Sequence, residues 1–343
     1  MKLFRHIGIA MLCGTGSILT TALSYSQGIH FSQYYQAPSI LNPANTALMP
    51  TEEFRLTANY RNQWANVPVN YNTFAATAEF QALRGKNLVN WVGIGGGFYS
   101  DKAGDGALSL NKLQLNIAYH LGMGDYSMLS AGLTVGSVSR SVNLQKLTFD
   151  AQWDGYKFNS SLPQQEFLNS ATTSYLDMGI GMNYAYFPSD DLYMKIGLGV
   201  QHINRPKESF YKAENQLKMR PVFNAEALAL FAEYWIFNPS IYYTYQSQAS
   251  ELVGGALLER QLSNNGNNQF IMGLFYRYKE SFIPVIGLNL NQVRIMASYD
   301  VNVAGYNKGY RSDGAFELSI IYQGHYQGGG GSGARKNYAC PRF

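Results

Sequence analysis

Charge is scarce in this chain. Asp, Glu, Lys and Arg make up 14% of its 343 residues, against about 25% in an ordinary soluble domain. So few charges cannot cover a large water-facing surface. The net charge of +4 contains no long basic run, which removes the electrostatic footprint of a nucleic-acid binder. Cysteine is nearly absent, with only Cys13 and Cys340. Cys13 falls in the leader described below, so no internal disulfide supports the mature fold. In an oxidising compartment Cys340 is either free or bonded to a partner. Beyond the leader no apolar run of about 18 residues occurs, which excludes a helical membrane span. Catalytic signatures are missing too. There is no phosphate-binding Gly loop, no Cys/His metal spacing and no G-x-S-x-G turn, and GIGGG at 93–97 lies inside an alternating strand rather than at a strand-to-helix junction. The reading is non-enzymatic, with no cofactor and no metal.

What the chain does have is strand formers. Aromatics reach 14%, with 26 Tyr and 19 Phe, and Gly numbers 34. Residues 1–26 read as a secretory signal peptide. Lys2 and Arg5 supply the positive region, Ile7 to Leu23 the apolar region, and Ser24 and Ser26 a cleavage site before Gln27. A lipoprotein reading would use Cys13, but Leu12 stands where a small residue is needed. An uncleaved anchor is the other alternative. Residues 27–50 form an extended segment, because Pro38 and Pro43 fix φ and remove donors.

From 51 to 323 the chain alternates. Fourteen strands are expected, at about 53–61, 71–81, 91–99, 112–119, 129–136, 173–186, 192–203, 219–235, 239–248, 250–261, 268–278, 281–290, 292–302 and 314–323. The pattern is poorest in 219–235, where Glu226 and Glu233 fall on opposite faces. A soluble β-sandwich would wet one face of such strands. A transmembrane barrel turns apolar residues outward and polar ones inward, in strands of about 10 residues. Scarce charge, Tyr and Phe near strand ends and loop lengths favour the barrel. The short connections 82–87, 121–125, 187–191, 236–238, 262–267 and 289–291 fall on one side. The other side receives 62–70, 100–107, 139–172, 204–218, 247–250, 279–281 and 303–313. The fold class is therefore all-β: an antiparallel up-and-down barrel in the bacterial outer membrane, with short periplasmic turns and longer extracellular loops. Residues 324–343 form a Gly-rich periplasmic tail.

Many inward positions are Gly. Two explanations stand side by side: a segment such as 29–50 or 139–172 enters the lumen, or the glycines ease curvature. The inward charges Glu79, Lys112, Lys195, Arg294, Asp300 and Glu317 are expected to pair with one another. His120 and Ser130 face each other across a hairpin, as many such pairs do by chance.

The phrase HFSQYYQAPSILNPANTAL carries a resemblance. Phe31, Ser32, Gln33, Tyr34, Pro38, Asn42, Pro43 and Ala44 match the opening of the PorP/SprF family of the type IX secretion system. Ala47–Leu48 stand where that family has Gly. A second phrase, Arg61, Asn62, Gln63 and Trp64 within NYRNQW, is also similar to the family. The resemblance implies a Bacteroidetes outer-membrane protein of secretion and gliding motility. It also implies partners: a secreted adhesin held through its C-terminal domain, and a periplasmic OmpA-like peptidoglycan-binding protein. Extracellular loop aromatics Trp153, Tyr156, Phe158, Phe210, Tyr211, Tyr306 and Tyr310 would meet the exported partner. The N-terminal segment and the tail residues Arg335, Lys336, Cys340 and Phe343 would face the periplasm. The alternative is a passive or substrate-selective channel.

Overall fold

The computed structural model describes residues 28–49, 52–64, 70–83, 90–104, 108–143, 146–159, 161–163, 171–210, 215–232, 234–262, 268–303 and 314–326. Fourteen antiparallel strands close into one barrel in which each strand pairs with its sequence neighbours and β1 pairs with β14. They are β1 (Phe54–Gln63), β2 (Tyr71–Ala82), β3 (Trp91–Ala103), β4 (Leu108–Gly122), β5 (Ser127–Ser141), β6 (Thr172–Ser189) and β7 (Leu192–Gln201). Then follow β8 (Arg220–Phe231), β9 (Trp235–Gln246), β10 (Ala249–Gln261), β11 (Asn268–Arg277), β12 (Ser281–Leu290), β13 (Val293–Asn302) and β14 (Ala315–Gly324). The β1–β14 seam runs in register from Phe54↔Gly324 to Gln63↔Ala315. Closure leaves no unpaired edge, which a bilayer requires.

Burial is inverted relative to a soluble protein. Leu113, Leu115, Ile117, Leu133, Ile196 and Leu198 are exposed at mid-strand. Tyr60, Phe98, Tyr245, Phe282 and Phe316 ring the loop side, and Phe80, Tyr119, Tyr186, Phe237 and Tyr322 ring the turn side, all exposed. Alternate residues point inward and are buried, among them Asn59, Arg61, Glu79, Asn116, Asn183, Lys195, Glu259 and Glu317. An apolar outer band between aromatic girdles is what lipid selects.

Two sequence expectations are corrected. No connection lies at the expected 236–238: β8 ends at Phe231 and β9 begins at Trp235, so Asn238 and Pro239 are inside β9. Pro239 can sit there because the β8–β9 ladder lapses beside it: pairing runs at Glu226↔Ser240 and resumes at Ala229↔Phe237. A missing N–H costs little where no ladder bond is made. The second correction concerns the wall of β10–β12, whose inward face is apolar at mid-strand and polar only toward the strand ends. Val253, Leu257, Ile271, Phe275, Ile283 and Val285 are buried there in one apolar cluster.

Candidate functional site

The lumen is filled by the chain's own segment 28–49. Three single 3-10 turns, Tyr34–Gln36, Pro38–Ile40 and Pro43–Asn45, coil it into a compact plug. Pro38 and Pro43 each begin a turn, where the missing N–H is no loss. Residues 31–34, 36, 37, 39 and 41–49 are buried.

The plug crosses the barrel lengthwise. At its late end, near the periplasmic turns, the Ala47 carbonyl accepts from Trp91 Nε1 at 3.1 Å and from Gln81 Nε2 at 3.3 Å. The Thr46 carbonyl faces His120 Nε2 at 2.9 Å. Midway, Asn42 Nδ2 donates to Asn183 Oδ1 at 2.9 Å and Asn224 Oδ1 at 3.1 Å, while Asn42 Oδ1 accepts from its own turn's Ala44 N–H at 3.0 Å. The early end lies near the loop-side ends of β1, β11, β13 and β14, where Arg61, Arg277, Asp300 and Glu317 stand.

There Ser32 and Gln33 engage a buried ionic cluster. The Ser32 N–H donates to Glu317 Oε2 at 2.8 Å and the Gln33 N–H to Glu317 Oε1 at 2.9 Å. The Ser32 hydroxyl accepts from Arg61 Nη1 at 2.7 Å and Arg277 Nη2 at 2.9 Å. Both guanidiniums reach Asp300 Oδ2, at 2.8 and 2.9 Å. Arg277 Nε also lies 3.2 Å from Glu251. Buried charges are tolerated only when paired and bonded in this way. Apolar anchors flank the polar grip. Phe31 packs with Ala75 and Tyr99. Tyr34 stands edge-on to Tyr242 at 4.5 Å and bonds Ser240 at 2.8 Å.

Three wall glycines admit the plug. A Cβ on Gly132 would overlap the Pro43 and Ala44 backbone, one on Gly181 the Asn42 amide, and one on Gly93 the Thr46 carbonyl. Close backbone approach, rather than curvature, accounts for these three positions.

The six inward charges named from the sequence all have partners, but none is another of the six. Glu79 pairs with Arg55, Lys112 with Asp177, Lys195 with Glu226, Arg294 with Glu259, and both Asp300 and Glu317 with Arg61. Sequence reasoning missed Arg55, Arg220, Glu251, Glu259 and Arg277. A charged residue near a strand end reads equally well as a contact with water or headgroups, so alternation alone carries no signal for them. His120 Nδ1 does lie 2.8 Å from Ser130 Oγ. Both side chains are fully buried, and the plug occupies the second ring nitrogen, so the pair holds the plug and is closed to substrate.

Of the second phrase, Arg61 enters the cluster, Gln63 Oε1 accepts from it at 3.4 Å, Asn62 Nδ2 donates to Asn72 Oδ1 at 2.8 Å, and Trp64 stands edge-on to Tyr71. In the long loop, Trp153 and Phe158 form an antiparallel bridge, and Trp153, Tyr156 and Phe158 are exposed. The Asp154 carboxylate ties that turn, accepting from Lys157 N–H at 2.7 Å and Tyr156 N–H at 2.9 Å. These bonds hold its pKa below the usual carboxylate range. Phe210 is half-buried. Tyr211, Tyr306, Tyr310, Arg335, Lys336, Cys340 and Phe343 lie outside the described residues. The sequence left two places for the extended N-terminal segment, the periplasm and the lumen, and the segment is coiled in 3-10 turns rather than extended. Its place is inside the lumen, with its early end toward the loops.

Above the plug, on the loop side, a vestibule of about 1000 Å³ remains, part of it open to solvent. Gly28, Ile29, His30 and Phe31 form part of its lining.

A closed fourteen-stranded barrel, apolar outside and plugged by its own N-terminal segment, is an integral protein of the bacterial outer membrane. The chain belongs to the PorP/SprF family of type IX secretion system membrane proteins, whose model matches residues 23–322. No curated protein matches it. Among solved structures the fold is similar to the TodX deltaS2S3 mutant monoaromatic hydrocarbon channel, with TM-score 0.56, 11% identity, and 84% of this chain and 94% of that one covered. It is also similar to the toluene transporter TbuX of Ralstonia pickettii, with TM-score 0.54, 11% identity, and 85% and 94% covered. A FadL homologue of Pseudomonas aeruginosa gives TM-score 0.51 at 10% identity, with 82% and 92% covered. At these identities the likeness is one of fold.

Proposed function

We propose that this protein is a non-enzymatic scaffold of type IX secretion, accessory to export and holding a secreted surface protein, such as a large adhesin through its C-terminal domain, at the loop side. The observation that carries the reading is the plug. Segment 28–49 runs through the lumen from the loop side to the turn side, and an obstructed lumen suits a docking platform better than a conduit. Exposed aromatics at Trp153, Tyr156 and Phe158 have the chemistry of interface anchors. In this reading residues 1–26 are removed on export. The tail 324–343 is left to meet periplasmic partners such as an OmpA-like peptidoglycan-binding protein, because the N-terminal segment is occupied inside the barrel.

A second reading is a gated channel. The loop-side vestibule and the fold shared with hydrocarbon channels favour it. Pull-down from native outer membranes in mild detergent separates the two. A stoichiometric large surface protein supports the scaffold. A barrel that purifies alone and conducts ions in planar bilayers overturns it in favour of the channel.

A further inference from the structure

We infer that the loop-side vestibule is a binding site for a water-borne anionic amphiphile, a molecule with an apolar chain and a carboxylate head. The apolar part of the wall comes from Ile29, Phe31, Ile40, Leu110, Val138 and Leu217. The vestibule is concave and opens to solvent on the loop side, and apolar surface predominates in it, the character of sites that enclose small ligands. Most of the charges on this wall are neutralised by one another. Lys112 Nζ lies 2.9 Å from Asp177, His202 Nδ1 lies 2.7 Å from Asp177, and Arg140 pairs with Glu208.

Arg220 differs. Its side chain is only 7% exposed, and its nearest carboxylate is Glu251 at 3.7 Å. Glu251 is closer to Arg277, at 3.2 Å. The Nε of Arg220 is fixed by Thr244 Oγ1 at 3.0 Å, and Nη1 lies 3.7 Å from where a Cβ on Gly28 would stand, Arg220 and Gly28 both being part of the lining. An under-compensated guanidinium at the end of an apolar cavity selects an anionic head with an apolar body. Strands β3 to β9 supply inward residues to this wall. They separate the cavity from the bilayer, so the ligand arrives from the aqueous loop side.

The test uses the full mature protein in lipid nanodiscs, with decanoate, decanol and decyltrimethylammonium as probes in titration calorimetry. Decanoate binds saturably, one per barrel, and more tightly than either other probe. Arg220→Gln weakens decanoate at least tenfold and leaves decanol unchanged. Val138→Trp, which fills the cavity, removes binding of both. Heat-modifiable migration on gels confirms that each variant is a folded barrel, and Leu217→Trp replaces any variant that fails this check. Equal affinity for the three probes, or decanoate binding unaffected by Val138→Trp or Leu217→Trp, overturns the assignment. The result is independent of the pull-down, which reads a protein partner rather than this cavity.

Discussion

The Ser32 hydroxyl lies 2.8 Å from both carboxylate oxygens of Asp300, a residue 268 positions later in the chain. It donates one proton there and accepts from two guanidiniums, so one side chain of the plug stitches together three strands of the wall.

Replacing Ser32 by Ala removes that bridge but leaves Arg61 and Arg277 paired with Asp300. A loss of about 1–3 kcal/mol is expected, the usual cost of unsatisfied buried groups. Asp300→Asn is expected to cost more, about 3–5 kcal/mol, because two buried guanidiniums lose their shared counter-charge. Denaturant unfolding in detergent, followed by intrinsic fluorescence, measures both. An Asp300→Asn variant no less stable than Ser32→Ala would show that the cluster's charge is not what matters.

Gly132→Leu is expected to expel the Pro43 turn, because even a Cβ at this position overlaps the plug backbone. Limited proteolysis should then cut within 28–49 while the barrel stays intact. Gly96→Ala serves as the control. Its added methyl meets nothing closer than 3.3 Å and should leave the plug resistant.

Removal of residues 29–48 is expected to convert a closed barrel into an ion-conducting one. Single-channel recording in planar bilayers reads this directly. Conductance indistinguishable from that of the intact protein would mean that another part of the chain seals the lumen.

Trp153→Ala combined with Tyr156→Ala should abolish co-purification of the surface partner without altering heat-modifiable migration. Retention of the partner by the double variant would move the contact to another loop.

Most of the barrel was legible in the sequence, because lipid outside and polar residues inside impose a strict two-residue period. Leu113, Leu115 and Ile117 against Gln114 and Asn116 show it plainly. The reading failed where the cause is not local. Asn238–Pro239 reads as a turn, since nothing in the sequence signals that the β8–β9 ladder is open beside it. The inward face of β10–β12 broke the alternation because Tyr34 and Tyr35 of the plug pack against it, more than two hundred residues away in sequence. Ion-pair partners were illegible for the same reason: Arg61 meets Asp300 only after the barrel closes. Ser32, Gln33 and Asn42 could be named from the family resemblance, but the sequence did not show that their role is to grip the lumen wall.

The lengthwise path of the plug also constrains the order of assembly. Its early end lies at the opposite rim from the point where the chain enters β1, and the seam between β1 and β14 joins residues as far apart as Phe54 and Gly324. A segment gripped along its whole length by the wall cannot be drawn through a finished cylinder that it already fills. The simplest route is for the sheet to curl around residues 28–49 while the seam is still open. On that route the β1–β14 pairing closes over a segment already in place, and the seam keeps it there.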